Sequence, residues 1–195
     1  SGRGVLEGNT IHGHAGNGVT VEGEGSAPVL RRNTIRNCRR NGVDASGGAA
    51  GTFDGNDVCD NSAAGFSVRG AACPQVSGGS VAGNEVGVAV AEGGLGTFTG
   101  CTITSNAVAG ARVTGPGSAP RFLRSKVHAN PVDGVQVCDG GGGTFDHCQV
   151  FSNKVAGIRI SGEGSDPVIV GCTIRDGNWV GVAVQEGGGG RLEGN

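Results

Sequence analysis

The sequence is poor in several residue types on which catalytic and binding sites often depend. It contains no Met and no Tyr, a single Trp, and only 4% aromatic residues in all. The lack of Tyr removes one frequent acid or base from the candidates for catalysis. No apolar run approaches membrane-spanning length and no signal-peptide pattern is present, so we expect no membrane partner.

Charge and cysteine spacing exclude further classes of partner. The net charge of -2 gives no reason to expect nucleic acid as a partner. The seven Cys form no Cys-x-x-Cys pair and no cluster with His, so we predict no metal site and no cofactor. We expect reduced, buried thiols, which favours a cytoplasmic location.

Glycine is abundant, with 42 residues, and it accompanies an internal repeat. Segments 4–11, 51–58, 96–103 and 143–150 resemble one another, and a sister version occupies 28–35, 74–81, 120–127 and 167–174. The repeats start at positions 4, 28, 51, 74, 96, 120, 143, 167 and 190, with spacings of 22 to 24 residues. Such a period predicts a solenoid.

Apolar residues recur at fixed places in every repeat. The third position holds Leu6, Leu30, Phe53, Val76, Phe98, Phe122, Phe145, Ile169 and Leu192, and the eighth holds only Ile or Val. A later Gly-apolar-x-apolar run supplies two more inward positions. These runs predict three short strands per coil. The sequence therefore predicts an all-β fold, a single right-handed parallel β-helix (solenoid) with about 23 residues per coil and eight full coils.

Two polar columns are predicted at the corners between strands. The sixth position reads Asn9, Asn33, Asn56, Gly79, Cys101, Ser125, Cys148, Cys172 and Asn195. The eleventh position reads His14, Cys38, Asn61, Asn84, Asn106, Asn130, Asn153 and Gly177. We expect the Asn side chains to bond the turn backbone and their equivalents one coil away, and the Cys to act as small members of the same column.

A single uniform repeat predicts one domain, residues 1–195. Both ends interrupt the repeat at the same phase, and neither carries a polar cap of the kind that protects solenoid ends. We therefore expect the β-helix to be part of a longer protein, whose other domains would be among its partners.

The candidate binding surface comes from the outward positions seven and nine of coils six to eight. We expect five of these side chains on one face and the only Trp in the following turn. The candidate binding residues are Lys126, His128, Gln149, Phe151, Arg175 and Trp179. An aromatic group flanked by hydrogen-bonding and cationic groups suits a peptide or a sugar ring.

Support for an active site is much weaker. A glycosidase needs two carboxylates about 5–9 Å apart, and a lyase needs a base opposite carboxylates or an Arg. The outward columns carry no cluster of Asp and Glu on adjacent coils, and the turn carboxylates are scattered: Glu22, Glu24, Glu92, Glu163 and Glu186. We assign no catalytic residue.

Residues 28–37, with 42–43, 51–58 and 64–68, resemble the right-handed parallel β-helix repeats of the CASH, or pectate-lyase-like, family. The alternating Pro-led and Gly-led coils look most like the β-helix of F-box proteins, of SHC-binding spindle proteins and of actinobacterial proteins fused to an AAA ATPase. The resemblance implies a right-handed β-helix and a link to carbohydrate binding or sugar hydrolysis. In the F-box relatives the β-helix presents protein substrates to a ubiquitin ligase. The sequence contains no F-box segment, and no pectate-lyase catalytic motif can be matched to it.

Two functions therefore remain open. The favoured one is a non-catalytic interaction module that binds a protein segment or a glycan on an outward strand face. The alternative is a fragment of a carbohydrate-active enzyme, such as a polysaccharide lyase, hydrolase or epimerase. An inert spacer is a third possibility.

Overall fold

The computed structural model describes residues 2–195 and consists of 25 short strands in three parallel sheets. The chain visits the three sheets in turn, so that each circuit forms one coil of a parallel β-helix. Strands that are neighbours within a sheet are therefore three apart in the chain. The predicted fold class and the predicted three strands per coil are confirmed.

The strands are numbered β1 to β25 along the chain. The first sheet contains β1 (Val5–Glu7), β4 (Val29–Arg31), β7 (Thr52–Asp54), β10 (Gln75–Ser77), β13 (Thr97–Thr99), β16 (Arg121–Leu123), β19 (Thr144–Asp146), β22 (Val168–Val170) and β25 (Arg191–Glu193). The second contains β2 (Thr10–His12), β5 (Thr34–Arg36), β8 (Asp57–Cys59), β11 (Ser80–Ala82), β14 (Thr102–Thr104), β17 (Lys126–His128), β20 (Gln149–Phe151) and β23 (Thr173–Arg175). The third contains β3 (Val19–Glu22), β6 (Val43–Ser46), β9 (Ala64–Val68), β12 (Val86–Val90), β15 (Ala109–Thr114), β18 (Asp133–Cys138), β21 (Ala156–Ser161) and β24 (Val180–Gln185).

The apolar positions found in the sequence form the core. The third position of the repeat is fully buried from Leu30 to Ile169 except for Val76, which is nearly so, and the eighth position is buried from Ile35 to Val150. Phe98, Phe122 and Phe145 stack on successive coils with ring centroids 4.9 Å apart. Because each coil adds only a few inward side chains, burial depends on stacking.

Each third strand begins beside a glycine that permits close packing. A Cβ atom on Gly110 would lie 2.4 Å from Cγ1 of Val127 and 2.8 Å from the carbonyl oxygen of Gly134. The same conflict would arise at the equivalent glycines Gly42 and Gly65. From Gly18 to Gly157 this column of the repeat therefore accepts no side chain, which explains the Gly that precedes these third-strand apolar runs.

The eleventh-position Asn residues form a continuous buried ladder along the corner between the second and third sheets. The backbone N–H of Asn84 donates to Oδ1 of Asn106 at 3.1 Å, and that of Asn106 donates to Oδ1 of Asn130 at 2.9 Å. In the opposite direction, Nδ2 of Asn106 donates to the carbonyl of Val81, one coil earlier, at 3.1 Å. The Asn106 amide thus satisfies backbone groups of the previous coil, and its Nδ2 also donates to Oδ1 of Asn130 on the next coil at 3.3 Å. The predicted bonds to the turn backbone and to the equivalent Asn one coil away are both present.

The sixth-position column forms a second ladder, in which Ser and Cys take the place of Asn. Nδ2 of Asn56 donates to the carbonyl oxygen of Leu30 at 2.9 Å. The thiol of Cys172 donates to the carbonyl oxygen of Phe145 at 3.3 Å. The Cys172 sulfur also accepts from the N–H of Cys148 at 3.3 Å. These Cys are therefore small members of the ladder, as predicted, and they also form hydrogen bonds with the adjacent coil.

The surroundings hold Cys101 and Cys148 protonated, whereas the hydrogen bond with Cys148 lowers the pKa of Cys172 to about 7. Burial raises the pKa of Cys101 to about 12, and the adjacent Cys172 together with burial raises the pKa of Cys148. A neutral thiol retains the proton that it donates to a carbonyl. All seven Cys are free, as expected, but only four are buried, since Cys59 and Cys138 are half-buried and Cys73 is exposed.

The Asn ladder leads to a stability prediction. We expect Asn106→Ala to lower the free energy of unfolding by about 2–3 kcal/mol, because the buried N–H of Asn84 loses its acceptor and the carbonyl of Val81 loses its donor. Urea denaturation followed by circular dichroism measures the change.

Asn178→Ala is the matched control, since Asn178 is exposed and its side chain makes no hydrogen bond within residues 2–195. This control should change the free energy of unfolding by no more than about 0.5 kcal/mol. Equal effects of the two substitutions would contradict a stabilising role for the ladder.

Candidate functional site

The second sheet brings five of the six predicted binding residues together on its outward face. Lys126 pairs in register with Gln149, and His128 pairs with Phe151, which in turn pairs with Arg175. These five residues, here called the second-sheet patch, lie on the adjacent strands β17, β20 and β23. The periodicity of the repeat places them there, because positions seven and nine flank the inward eighth position.

Phe151 lies between two other planar groups. Its ring is stacked on the imidazole of His128, with centroids 4.6 Å apart and planes within 10° of parallel. On the other side, the guanidinium carbon of Arg175 lies 4.6 Å from the Phe151 ring centroid. Both faces of Phe151 are therefore covered by its own column, and the ring presents its edge to solvent.

Trp179 is separate from this stack. It lies in the turn between β23 and β24 with 77% of its surface exposed, and it stacks on no other aromatic ring among residues 2–195. By repeat position it corresponds to Val132 and Val155, which are half-buried. Trp179 is therefore an exposed side chain on the last full coil, whereas both faces of Phe151 are covered.

Charges around the patch are mostly positive, with one local ion pair. Arg175 pairs with the carboxylate of Asp176. Burial lowers the pKa of His128, and the neighbouring Lys126 ammonium lowers it further. His128 is thus neutral at neutral pH, and its Nδ1 lies 3.3 Å from the hydroxyl of Thr104.

The patch contains an aromatic stack and cationic groups but no carboxylate facing His128. Residues 2–195 contain no group of three His, Cys, Asp or Glu side chains arranged to hold a metal ion. They also contain no helix of the length and apolarity needed to cross a membrane. The patch thus combines a preformed aromatic centre with polar and cationic groups around it.

A second polar group, on the third sheet, was not found by the sequence analysis. Asp133 is fully buried at the start of β18, where Arg159 Nε donates to its Oδ2 at 2.7 Å and Gln136 Nε2 donates to the same oxygen at 2.7 Å. Burial alone would raise the pKa of Asp133, but the hydrogen bonds from Arg159, Gln136 and the Ala156 N–H outweigh it and lower the pKa. Asp133 is therefore a buried carboxylate that remains ionised.

A signal for this group was present in the sequence. The equivalent residues on adjacent coils are Ala109 and Ala156, so that a carboxylate at position 133 stands between two small apolar side chains. Arg159 follows Gln136 by 23 residues, which is one coil, and this spacing places them side by side.

Comparison with known proteins gives one result, at the level of the family. A family model described as a right-handed β-helix region matches residues 1–68 and 17–170. No curated protein and no solved structure matches the chain. The match supports the right hand that was predicted for the coils.

The environment of His128 predicts an unusual titration. We expect the His128 imidazole to titrate below the ordinary value of 6.5, and Lys126→Gln to raise its pKa by removing a neighbouring positive charge. Since the unfolded chain binds this proton more readily, His128 should reduce stability as the pH falls below 6.5. Two-dimensional NMR of the imidazole carbons against pH measures the pKa.

Lys154→Gln removes an exposed positive charge elsewhere on coil seven and should leave the pKa of His128 unchanged. A His128 pKa at or above 6.5, or an identical shift in both variants, would contradict the account of this environment.

Proposed function

Because the chain belongs to the right-handed β-helix family, we propose that it is a non-catalytic recognition module that binds a protein segment on the outward face of its second sheet. The binding surface consists of the second-sheet patch and Trp179. Within the family, we propose that the coils are of the CASH, or pectate-lyase-like, type, and that the F-box and SHC-binding spindle proteins are functional analogues of this chain. The support for this narrower placement is the alternation of Pro-led and Gly-led coils.

The position of the Phe151 ring, stacked between His128 and Arg175, supports the binding function most directly. His128 and Arg175 hold its ring from both sides, and all three side chains are carried by strands in fixed register. A partner therefore meets a preformed surface and has few rotamers to order. Aromatic and Arg side chains of this kind dominate the energy of many protein interfaces.

A protein segment suits this geometry better than a glycan. A sugar ring binds an aromatic residue by lying against its face, and both faces of Phe151 are occupied. The free edge of the ring suits an aliphatic side chain, and Lys126 suits an acidic residue beside it. Trp179 offers the exposed ring faces that a second apolar side chain would cover.

A carbohydrate-active enzyme fragment is the second candidate, and one observation favours it. His128 is held neutral beside Lys126, and a neutral imidazole near an ammonium group is able to take a proton from a substrate whose charge the ammonium neutralises. The patch offers no carboxylate to act with it. A catalytic role would therefore depend on these two residues alone.

The function is tested by selecting binders from a phage-displayed library of random peptides on the immobilised β-helix. We expect enrichment of sequences that combine an aliphatic residue with an acidic one. Phe151→Ala and Trp179→Ala should each weaken the selected peptides by about 1–2 kcal/mol, or roughly tenfold, without changing the melting temperature. Fluorescence anisotropy of a labelled selected peptide measures the affinity.

Val168→Ala is the matched control, because Val168 is an exposed apolar residue of the first sheet. The Val168→Ala variant should bind the selected peptide with the same affinity as the parent chain. Unchanged affinity in the double variant Phe151→Ala, Trp179→Ala, with folding intact, would remove this surface from consideration. Turnover of uronate or neutral polysaccharides that is lost in His128→Ala or Lys126→Ala would establish the enzyme instead.

A further inference from the structure

The third sheet carries a polar network that ends in a cation with unused donors. The members are Arg112, Gln136, Asp133 and Arg159, and the first, second and fourth occupy the same outward column on three successive coils. Arg112 Nε donates to Gln136 Oε1 at 2.7 Å. Gln136 Nε2 in turn donates to Asp133 Oδ2, also at 2.7 Å.

The Asp133 carboxylate accepts its other hydrogen bonds from Arg159 and from the backbone of Ala156. Arg159 donates to both of its oxygens, through Nε at 2.7 Å and Nη2 at 3.1 Å, and the Ala156 N–H donates to Oδ1 at 2.9 Å. With Gln136 as a further donor, the Asp133 carboxylate accepts four hydrogen bonds. The network contains two guanidinium groups and one carboxylate, so it has a net charge of about +1.

The Gln136 amide fixes the orientation of Arg112. Its Nε2 must face the carboxylate of Asp133, so its Oε1 faces Arg112, and the reverse orientation would oppose donors to donors. Arg112 is therefore held through Nε alone. Its terminal nitrogens Nη1 and Nη2 make no hydrogen bond or ion pair with any residue from 2 to 195. This free edge has the spacing that binds a carboxylate through two parallel hydrogen bonds.

The neighbouring rungs leave room for a ligand on one side of Arg112. Ala89 pairs in register with Arg112 from the coil before it, and Ser67 pairs with Ala89 from one coil earlier still. These two short side chains form a low shelf that is about 10 Å wide by the spacing of strands in a sheet. The half-buried Arg112 stem stands at the edge of this shelf.

We propose that Arg112 is a carboxylate-binding site, and that its ligand is an acidic side chain of a peptide segment that lies on the Ser67–Ala89 shelf. Gln136 is a positioning residue: it holds Arg112 through Nε and keeps the terminal edge free. A carboxylate matches the single positive charge and the single free edge, whereas a phosphate dianion would call for a second cation that converges on the same point. The site is independent of the second-sheet patch, because it lies on a different sheet.

The probe is an acetylated tetraglutamate amide, titrated into the isotopically labelled β-helix and followed by NMR, with acetylated tetraglutamine amide as the neutral match. The side-chain Nε–H of Arg112 reports directly on the site, because its hydrogen bond to Gln136 slows exchange with water. We expect tetraglutamate, and not tetraglutamine, to shift this signal and the backbone amides of β12 and β15.

Three variants separate the proposed roles. Arg112→Gln should weaken tetraglutamate binding about tenfold or more, because a charged hydrogen-bond donor is lost. Gln136→Leu retains the Arg112 charge but removes its anchor, and should weaken binding about threefold. Arg121→Gln is the matched control, since Arg121 is exposed on β16 of the first sheet and pairs with no carboxylate among residues 2–195. It should bind as the parent chain does.

Retained affinity in Arg112→Gln, or an equal loss in Arg121→Gln, would overturn the site in favour of a diffuse charge effect. Unchanged affinity in Gln136→Leu would overturn the positioning role. Tighter binding of a matched phosphoserine peptide would replace the carboxylate with a phosphate ligand. Thermal unfolding of each variant confirms that it remains folded, which outward substitutions are expected to allow.

Discussion

Hydrogen bonds from buried corner side chains to the backbone of the adjacent coil are the interaction on which this structure depends. A chain with 42 Gly and few large side chains gains little from each coil alone. The corners are where the strand ladders stop, and unpaired N–H and C=O groups there would be costly to bury. Two ladders of Asn, Ser and Cys satisfy these groups, and no buried side-chain nitrogen or oxygen among residues 2–195 lacks a partner.

Fixed corners determine what the outer faces of the rod offer to a partner. Because every coil is locked in register with the next, residues 22 to 24 positions apart become neighbours on a surface. The stack of His128, Phe151 and Arg175 and the network from Arg112 to Asp133 both arise in this way. One occupies the second sheet and the other the third, so the same few coils present two chemically different surfaces.

The columns of the repeat predicted which rung and which face each residue occupies, and this was sufficient for the fold, the core and the Asn ladder. It was also sufficient to place Lys126, His128 and Phe151 side by side. The repeat did not predict where long side chains end. That both faces of Phe151 are covered depends on side-chain rotamers, as does the bond from Arg112 to Gln136. The donor role of Cys172 depends on the distance from its sulfur to a carbonyl of the previous coil.

Native-state hydrogen exchange tests the central role of the corner ladders most directly. The backbone amides of Asn84 and Asn106 donate to side chains of the next coil, and neither amide belongs to a strand ladder. If the ladders clamp the coils, these amides should exchange only through global unfolding, as slowly as the amides of the central strands. Exchange as fast as that of an exposed turn amide such as Gly164 would contradict this account.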